Sequence, residues 1–383
     1  MEPSELFKKR VVSFYQKTAQ FVFGMKFWGF YCLIIMFSII QNGIWYSPQT
    51  ERLWLMSKDI FTNPFLGNPD NQWLLSSFLG PMLGYATSMN QSIWSYSLLH
   101  LIIFLVFFTI LIAAIRNRNW DFIARTVLII FLVSPISNVL FTWLGSPDIL
   151  TILLSMMIVI FWNNLAVLFV GAFLLGINHP EQGLVILLLL TAFSFFTRSK
   201  KETIGFALIG LISLALGKLL IELFFHIHHF DVEFSRMNYI PKTGLFRYVK
   251  STLSNPFALL FSLYNVLILF IATYVSYFWK KEKSAIAFVV YSLLAFITIL
   301  ITLDQTRVFS ILTFPALLLL VLTPSFQSLE LGEKEFFKNV LTLSFLAGIL
   351  VPRFTILDGT IYYSTYQSLI VFLHDHMTGL LLR

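Results

Sequence analysis

The sequence predicts an all-α polytopic membrane protein with about eleven transmembrane helices and interfacial helices in a long first outer loop. Three observations carry this prediction. The 383 residues are 57% hydrophobic and only 12% charged, with a mean hydropathy of +0.80; soluble domains carry about a quarter charged residues. The apolar residues fall in runs close to the roughly 20 that a helix needs to cross a bilayer. The basic clusters lie between those runs at intervals that put them all on one side of a membrane.

Residues 1–25, "MEPSELFKKRVVSFYQKTAQFVFGM", are basic and mixed apolar, and read as an interfacial helix on the cytoplasmic face. Spans follow near 26–45, 97–115, 122–144, 149–163, 164–178, 182–197, 203–225, 257–279, 284–303, 308–323 and 338–356. The pair at 149–178 reads either as two short spans around a turn at "WNN" or as one long buried helix with a polar break. The charges favour two. With eleven spans and the N-terminus inside, "KKR" (8–10), "RNRNW" (116–120), "RSKK" (198–201), "KKEK" (280–283) and "EKEFFK" (333–338) all face the cytoplasm. A single span at 149–178 would turn "RSKK" and "KKEK" outward. The outer segments are then 46–96, a basic and His-rich loop at 226–256, the C-terminal segment 357–383 and three short turns, and the whole chain 1–383 is one transmembrane domain. The first run, "FWGFYCLIIMFSIIQNGIW", is followed by no small-x-small cleavage site, so no cleavable signal peptide is expected.

Composition narrows the function. A single cysteine, Cys32, excludes an intramolecular disulfide, a CxxC redox pair and a cysteine metal cluster. The net charge of +7 fits basic cytoplasmic loops beside anionic lipid. Nucleic acid is not an expected partner, because no basic stripe is interleaved with aromatics. There is no Gly-rich phosphate loop, no G-x-S-x-G and no long internal repeat.

The chemically capable residues gather on the outer face. The first outer loop carries two amphipathic stretches, Leu53, Trp54, Met56, Ile60 and Trp73, Leu74, Leu75, Phe78, suited to interfacial helices. Its acids are Glu51, Asp59 and Asp70. A carboxylate there can act as a general base or hold a divalent metal such as Mg or Mn with water; the alternative is a solvated loop acid. "GSPDILTILL" starts a helix that Ser146 or Asp148 can cap, with Pro147 in its first turn; Asp148 is either that cap or a substrate contact. "GINHPEQGLVILLLL" is a capped hairpin tip: Gly176 and Asn178 loosen one helix end, Pro180 starts the next and Glu181 favours its dipole. That leaves His179 and Gln182 unexplained, and His179 is a candidate ligand contact. "LDQTR" (303–307) puts Asp304 and Arg307 three residues apart at a helix start, where they can pair. An outward arginine there also suits bidentate phosphate binding. "FFHIHHFDVEF" (His226, His228, His229, Asp231, Glu233) lacks a metal-site spacing, and Arg236, Lys242, Arg247 and Lys250 beyond it form a basic set facing lipid head groups.

The order of these pieces resembles the GT-C superfamily of integral-membrane glycosyltransferases, which use polyprenyl-phosphate-linked sugars. "QTERLWLMSKDIFTNPF" is similar to that family's acid-bearing first loop, with Glu51 where the family usually has Asp. "GSPDILTILL … VGAFLLGINHPEQGLVILLLL" is similar to its small-residue-Pro-acid start and Pro-containing turn. "TRVFSILTFPALLLL" is similar to the late span headed by an arginine and containing a proline. The resemblance implies transfer of a sugar from a polyprenyl-phosphate donor to a glycan, lipid or protein acceptor at the periplasmic or lumenal face of, for example, a bacterial inner membrane, building cell-envelope glycan. It implies Glu51 or Asp70 as catalytic base and Arg307 at the donor phosphate, with His179 or Arg247 beside it and Asp304, Glu181 and Asp148 as further contacts. It fixes no cofactor: members of the superfamily differ in metal dependence, and a divalent Mg or Mn ion is compatible. A polysaccharide polymerase or ligase, or a transporter or flippase of lipid-linked sugars, is the alternative; the missing repeat and the polar groups at one face rather than mid-depth weigh against transport.

Overall fold

Ser, Asn, Thr and Pro stand at the heads of the apolar runs, and helices begin at them. Ser92 and Ser199 close capping boxes with Ser95 and Glu202. Pro48, Pro147, Pro180, Pro256 and Pro324 occupy first turns, where a missing N–H costs no helical hydrogen bond. The computed structural model describes residues 3–66, 69–118, 120–230, 245–302, 304–351 and 353–363.

These residues form 18 α-helices: α1 (Pro3–Gly24), α2 (Phe27–Asn42), α3 (Pro48–Lys58), α4 (Leu79–Ala86), α5 (Ile93–Arg116), α6 (Asp121–Val133), α7 (Ile136–Thr142), α8 (Pro147–Ile160), α9 (Leu165–Asn178), α10 (Pro180–Thr197), α11 (Lys200–Ile227), α12 (Leu245–Thr252), α13 (Pro256–Tyr264), α14 (Ile268–Phe278), α15 (Lys283–Ile299), α16 (Gln305–Val321), α17 (Pro324–Gln327) and α18 (Leu331–Leu350). The chain is a helical membrane protein. Among the described residues, four helical segments can cross a bilayer by length and composition, or up to six when each bent pair counts as one span. The four shorter apolar helices are α8, α9, α15 and α16.

Burial sorts the helices into an inner and an outer set. Every residue from Ile123 to Val133 of α6 and from Phe309 to Val321 of α16 is buried, as is all of α8 except Met157. In the outer set, α5 exposes Leu98, Ile102, Val106 and Ile110 at four-residue spacing, and α11 exposes Leu208, Ile212, Leu216 and Leu223. Apolar stripes of this kind suit acyl chains, which carry no desolvation cost for them. Helices α9 and α11 approach closely where Gly176 and Gly217 face each other.

Several sequence expectations are corrected. The run at 122–144 is two helices, α6 and α7, bent by 66°, because Pro135 at the break has no N–H to continue the ladder. The run at 338–356 starts earlier, at Leu331, so the charged stretch 333–338 lies inside α18. The fold is not wholly α-helical: β1 (Phe354–Leu357) and β2 (Thr360–Tyr363) form an antiparallel hairpin. Its turn is Asp358-Gly359, with φ of 48° and 72°; Asp-Gly suits a two-residue turn in which both φ are positive. Ser146 heads α8, but its hydroxyl donates to Asp148 Oδ2 at 3.3 Å and caps no amide.

The segment 149–178 is two helices, α8 and α9, which pack on each other around residues 161–164, with Asn164 capping α9 through Ala166 and Val167 N–H. Helix α1 meets α2 at 112°. Arg125 locks this corner by donating to Val22 O at 2.9 Å and Met25 O at 2.7 Å. The two amphipathic stretches of the first loop pack inward: Leu53, Met56, Ile60, Leu74, Leu75 and Phe78 are buried, and Trp54 and Trp73 are half-buried.

Candidate functional site

The N-terminus of α8 is fixed from beneath. Gly145 has φ +79°, and a Cβ there would lie 2.3 Å from Thr50 Cγ2 and 3.1 Å from the Tyr96 ring. Thr50, on α3, donates its hydroxyl to Leu144 O at 2.6 Å. The first loop therefore clamps the "GSPD" turn and sets where Asp148 points. Gly145→Ala combines a backbone conformation that L side chains rarely adopt with this overlap. It is expected to lower the thermal unfolding midpoint of the purified protein by several degrees, read by tryptophan fluorescence, and to move Asp148 out of register with its partner.

That partner is Arg307, in the first turn of α16. Asp148 is fully buried, and its Oδ2 accepts from Arg307 Nη1 at 2.8 Å. Arg307 Nε lies 2.5 Å from Asp304 Oδ2, although the angle there is too poor for a good hydrogen bond. The Trp143 ring covers the guanidinium at 4.1 Å from its centroid. One arginine is thus held by two acids and an indole, in a plane fixed from three sides. Asp148 Oδ1 is buried with no hydrogen-bond partner. Burial is the largest influence on the Asp304 carboxyl and holds it above its ordinary range; Arg307 acts against that and Asp148 with it.

The cluster opens into a cavity of about 240 Å³ lined by Gln49, Trp73, Asp148, His179, Glu181 and Arg307, among others. His179 is buried and caps α10, its Nδ1 accepting from Gln182 N–H at 3.4 Å and lying 3.4 Å from Glu181 Oε2. Asn178 ties the end of α9 to the start of α8 by donating to Pro147 O at 2.7 Å and Thr151 Oγ1 at 2.9 Å. The β-hairpin braces α16 from the other side, Ile356 N–H donating to Thr306 Oγ1 at 2.9 Å. A second cavity of about 380 Å³ shares Trp73 and Glu181 with the first and adds Gln72, Lys218, Glu222 and His226. Glu181 therefore stands in the wall common to both.

Five of the sequence candidates come together here: Asp148, His179 and Glu181 with the pair Asp304 and Arg307. Glu51 does not join them. It is exposed in the first turn of α3, and Gln49, two residues earlier, is the α3 residue that lines the cavity. The 3₁₀ helix Pro69–Ser76 contains Asp70, whose side chain lies outside the described residues. Arg247 is exposed on α12 and pairs with Asp358 at 3.6 Å, away from both cavities. Asp231, Glu233, Arg236 and Lys242 and most of 357–383 fall outside the described residues. His228 packs between Phe61 and Phe224. Among the described residues no three His, Cys, Asp or Glu side chains group for a metal. Asp148 and Asp304 hold a guanidinium between them, so this donor set suits an arginine better than Mg or Mn.

Sequence reasoning placed Trp73 only on an interfacial face and missed Trp143, Lys218 and Glu222. The signal for the last two was present: charges inside the apolar run of α11 are costly unless they face a cavity or each other, and these pair at 3.5 Å.

Fold and site together define a class: a helical membrane protein with an acid–arginine–acid cluster at the ends of its inner helices, opening beside two adjoining cavities. Beyond the class no relative is found, since no protein family, no curated protein and no solved structure matches the chain.

Proposed function

We propose that this protein is a GT-C-like membrane glycosyltransferase of eleven spans that moves a sugar from a polyprenyl-phosphate donor to a lipid, glycan or protein hydroxyl. The N-terminus is cytoplasmic and the site faces the periplasm or lumen. The observation that supports this reading best is the convergence of Asp148, His179, Glu181 and Arg307, with Asp304 paired to Arg307, from three separate stretches of sequence, on one small cavity at the helix ends.

In this reading Arg307 binds the donor phosphate. A guanidinium has five N–H donors, and Asp148 and Asp304 use part of that set while keeping its plane fixed. The acceptor enters the second cavity. Its hydroxyl oxygen attacks the anomeric carbon, the bond from that carbon to the phosphate oxygen breaks, and the electron pair leaves with the polyprenyl phosphate. The hydroxyl proton passes to a carboxylate. Glu181 suits that role better than Glu51, because it borders both cavities. Arg307 stabilises charge growing on the leaving phosphate, and the cavity walls supply proximity.

The test uses protein in proteoliposomes with a panel of radiolabelled polyprenyl-phosphate hexoses and pentoses and crude membrane acceptors. Glu181→Gln is expected to lower transfer by about 10²–10⁴-fold and leave polyprenyl-phosphate binding unchanged, whereas Glu51→Gln transfers like wild type. Label that crosses the vesicle membrane without transfer to any acceptor would overturn the enzyme reading and favour a transporter.

A further inference from the structure

A third and roomier cavity has no part in this chemistry. It measures about 1120 Å³ and lies at the opposite ends of the same helices, between the ends of α8 and α10, the starts of α9 and α11, and the α16–α17 turn. Two arginines line it. Arg118 lies 5.2 Å from the Trp120 ring and 5.5 Å from the Phe161 ring. Arg198 lies 4.4 Å from the Trp162 ring and donates through Nη2 to Trp162 O at 2.8 Å and Asn163 Oδ1 at 2.5 Å.

Among the described residues neither arginine has a carboxylate within 4 Å, whereas Arg116 and Arg125 share Asp121 and Arg307 holds two acids. The one acid in the cavity wall, Glu202, is turned to Ser199, accepting from its N–H at 3.1 Å and its hydroxyl at 2.7 Å. Both guanidinia are thus oriented by aromatic faces; neither has an acid within 4 Å, and Arg198 feels Glu202 across a longer gap. The remaining wall is mixed: polar at Asn163, Thr197 and Gln327, apolar along Phe193, Leu319 and Leu322, and it ends at Leu165, which is 52% exposed next to exposed Phe169 and Val170.

We propose that this cavity is a binding site for the phosphate of an anionic membrane lipid, with Arg118 and Arg198 on the phosphate and the first carbons of the acyl chains along Leu165. Guanidinium matches phosphate oxygens in bidentate fashion. Tryptophan at this level suits the head-group boundary. The volume and the apolar wall exceed what free phosphate fills. This site is independent of the transferase reading.

The experiment measures lipid retained by the purified full chain in native mass spectrometry, with phosphatidylglycerol, phosphatidylcholine or inorganic phosphate added. The expected result is phosphatidylglycerol retained over phosphatidylcholine and undisturbed by millimolar phosphate. Binding should fall about fivefold in Arg118→Gln and more than about twentyfold when Arg198→Gln is added. Arg118 is exposed and outside any helix, so its variant keeps the fold. Equal retention of the two lipids, or of phosphatidylglycerol by wild type and Arg118→Gln, overturns the proposal. Displacement by inorganic phosphate overturns the lipid assignment.

Discussion

Arg307→Ala is expected to lower sugar transfer by about 10²–10³-fold, the effect of removing a donor aimed at developing charge. The same change strands Asp148, a buried carboxylate whose strongest partner is Arg307 at 2.8 Å. Breaking a buried pair from one side costs about 3–5 kcal/mol, so loss of activity in Arg307→Ala alone mixes two causes. The double variant Asp148→Asn, Arg307→Gln separates them. With Asp304→Asn added, because Asp304 also loses Arg307, it carries no stranded charge and is expected to recover most of the unfolding midpoint while transfer stays as low as in Arg307→Ala. Recovery of transfer together with stability would show that Arg307 is a structural partner of Asp148 and would remove the phosphate contact from the mechanism.

Gly217→Val is expected to break the contact of α9 with α11. A Cβ on Gly217 would lie 2.1 Å from Phe173 O, and one on Gly176 would lie 2.2 Å from Leu214 O. Both obstacles are backbone, so no rotamer change relieves them, and the helices must separate. Small residues at such crossings let backbones approach closely. The expected cost is about 3 kcal/mol, read as a lower unfolding midpoint and as aggregation on size-exclusion chromatography. Helix α9 ends at Asn178 beside His179, so its displacement also carries the cavity wall away from Arg307. Gly205→Ala is the control on the same helix. Nothing lies within 4 Å of its Cβ, and alanine there is expected to be neutral or slightly stabilising. Equal behaviour of the two variants would refute the packing argument.

The sequence by itself determined the membrane class and most helix positions, because apolar run length and positive charge between runs report the solvent of each segment directly. It also marked Asp148, His179, Glu181, Asp304 and Arg307, since polar groups at the ends of apolar runs stand out against their surroundings. It contained the Asp358-Gly359 turn signal that announces the β-hairpin, although the surrounding apolar pattern masked it. Only the tertiary structure decided that Asp148 and Arg307, 159 positions apart, form one ion pair. Only it put Glu181, rather than Glu51, in the wall between two cavities. Pairing of that kind depends on how α8, α10 and α16 cross, and crossing is set by side-chain packing and by close approaches such as Gly145 on Thr50. Local pattern carries neither, because each residue's period describes its own helix and says nothing of which helix it will meet.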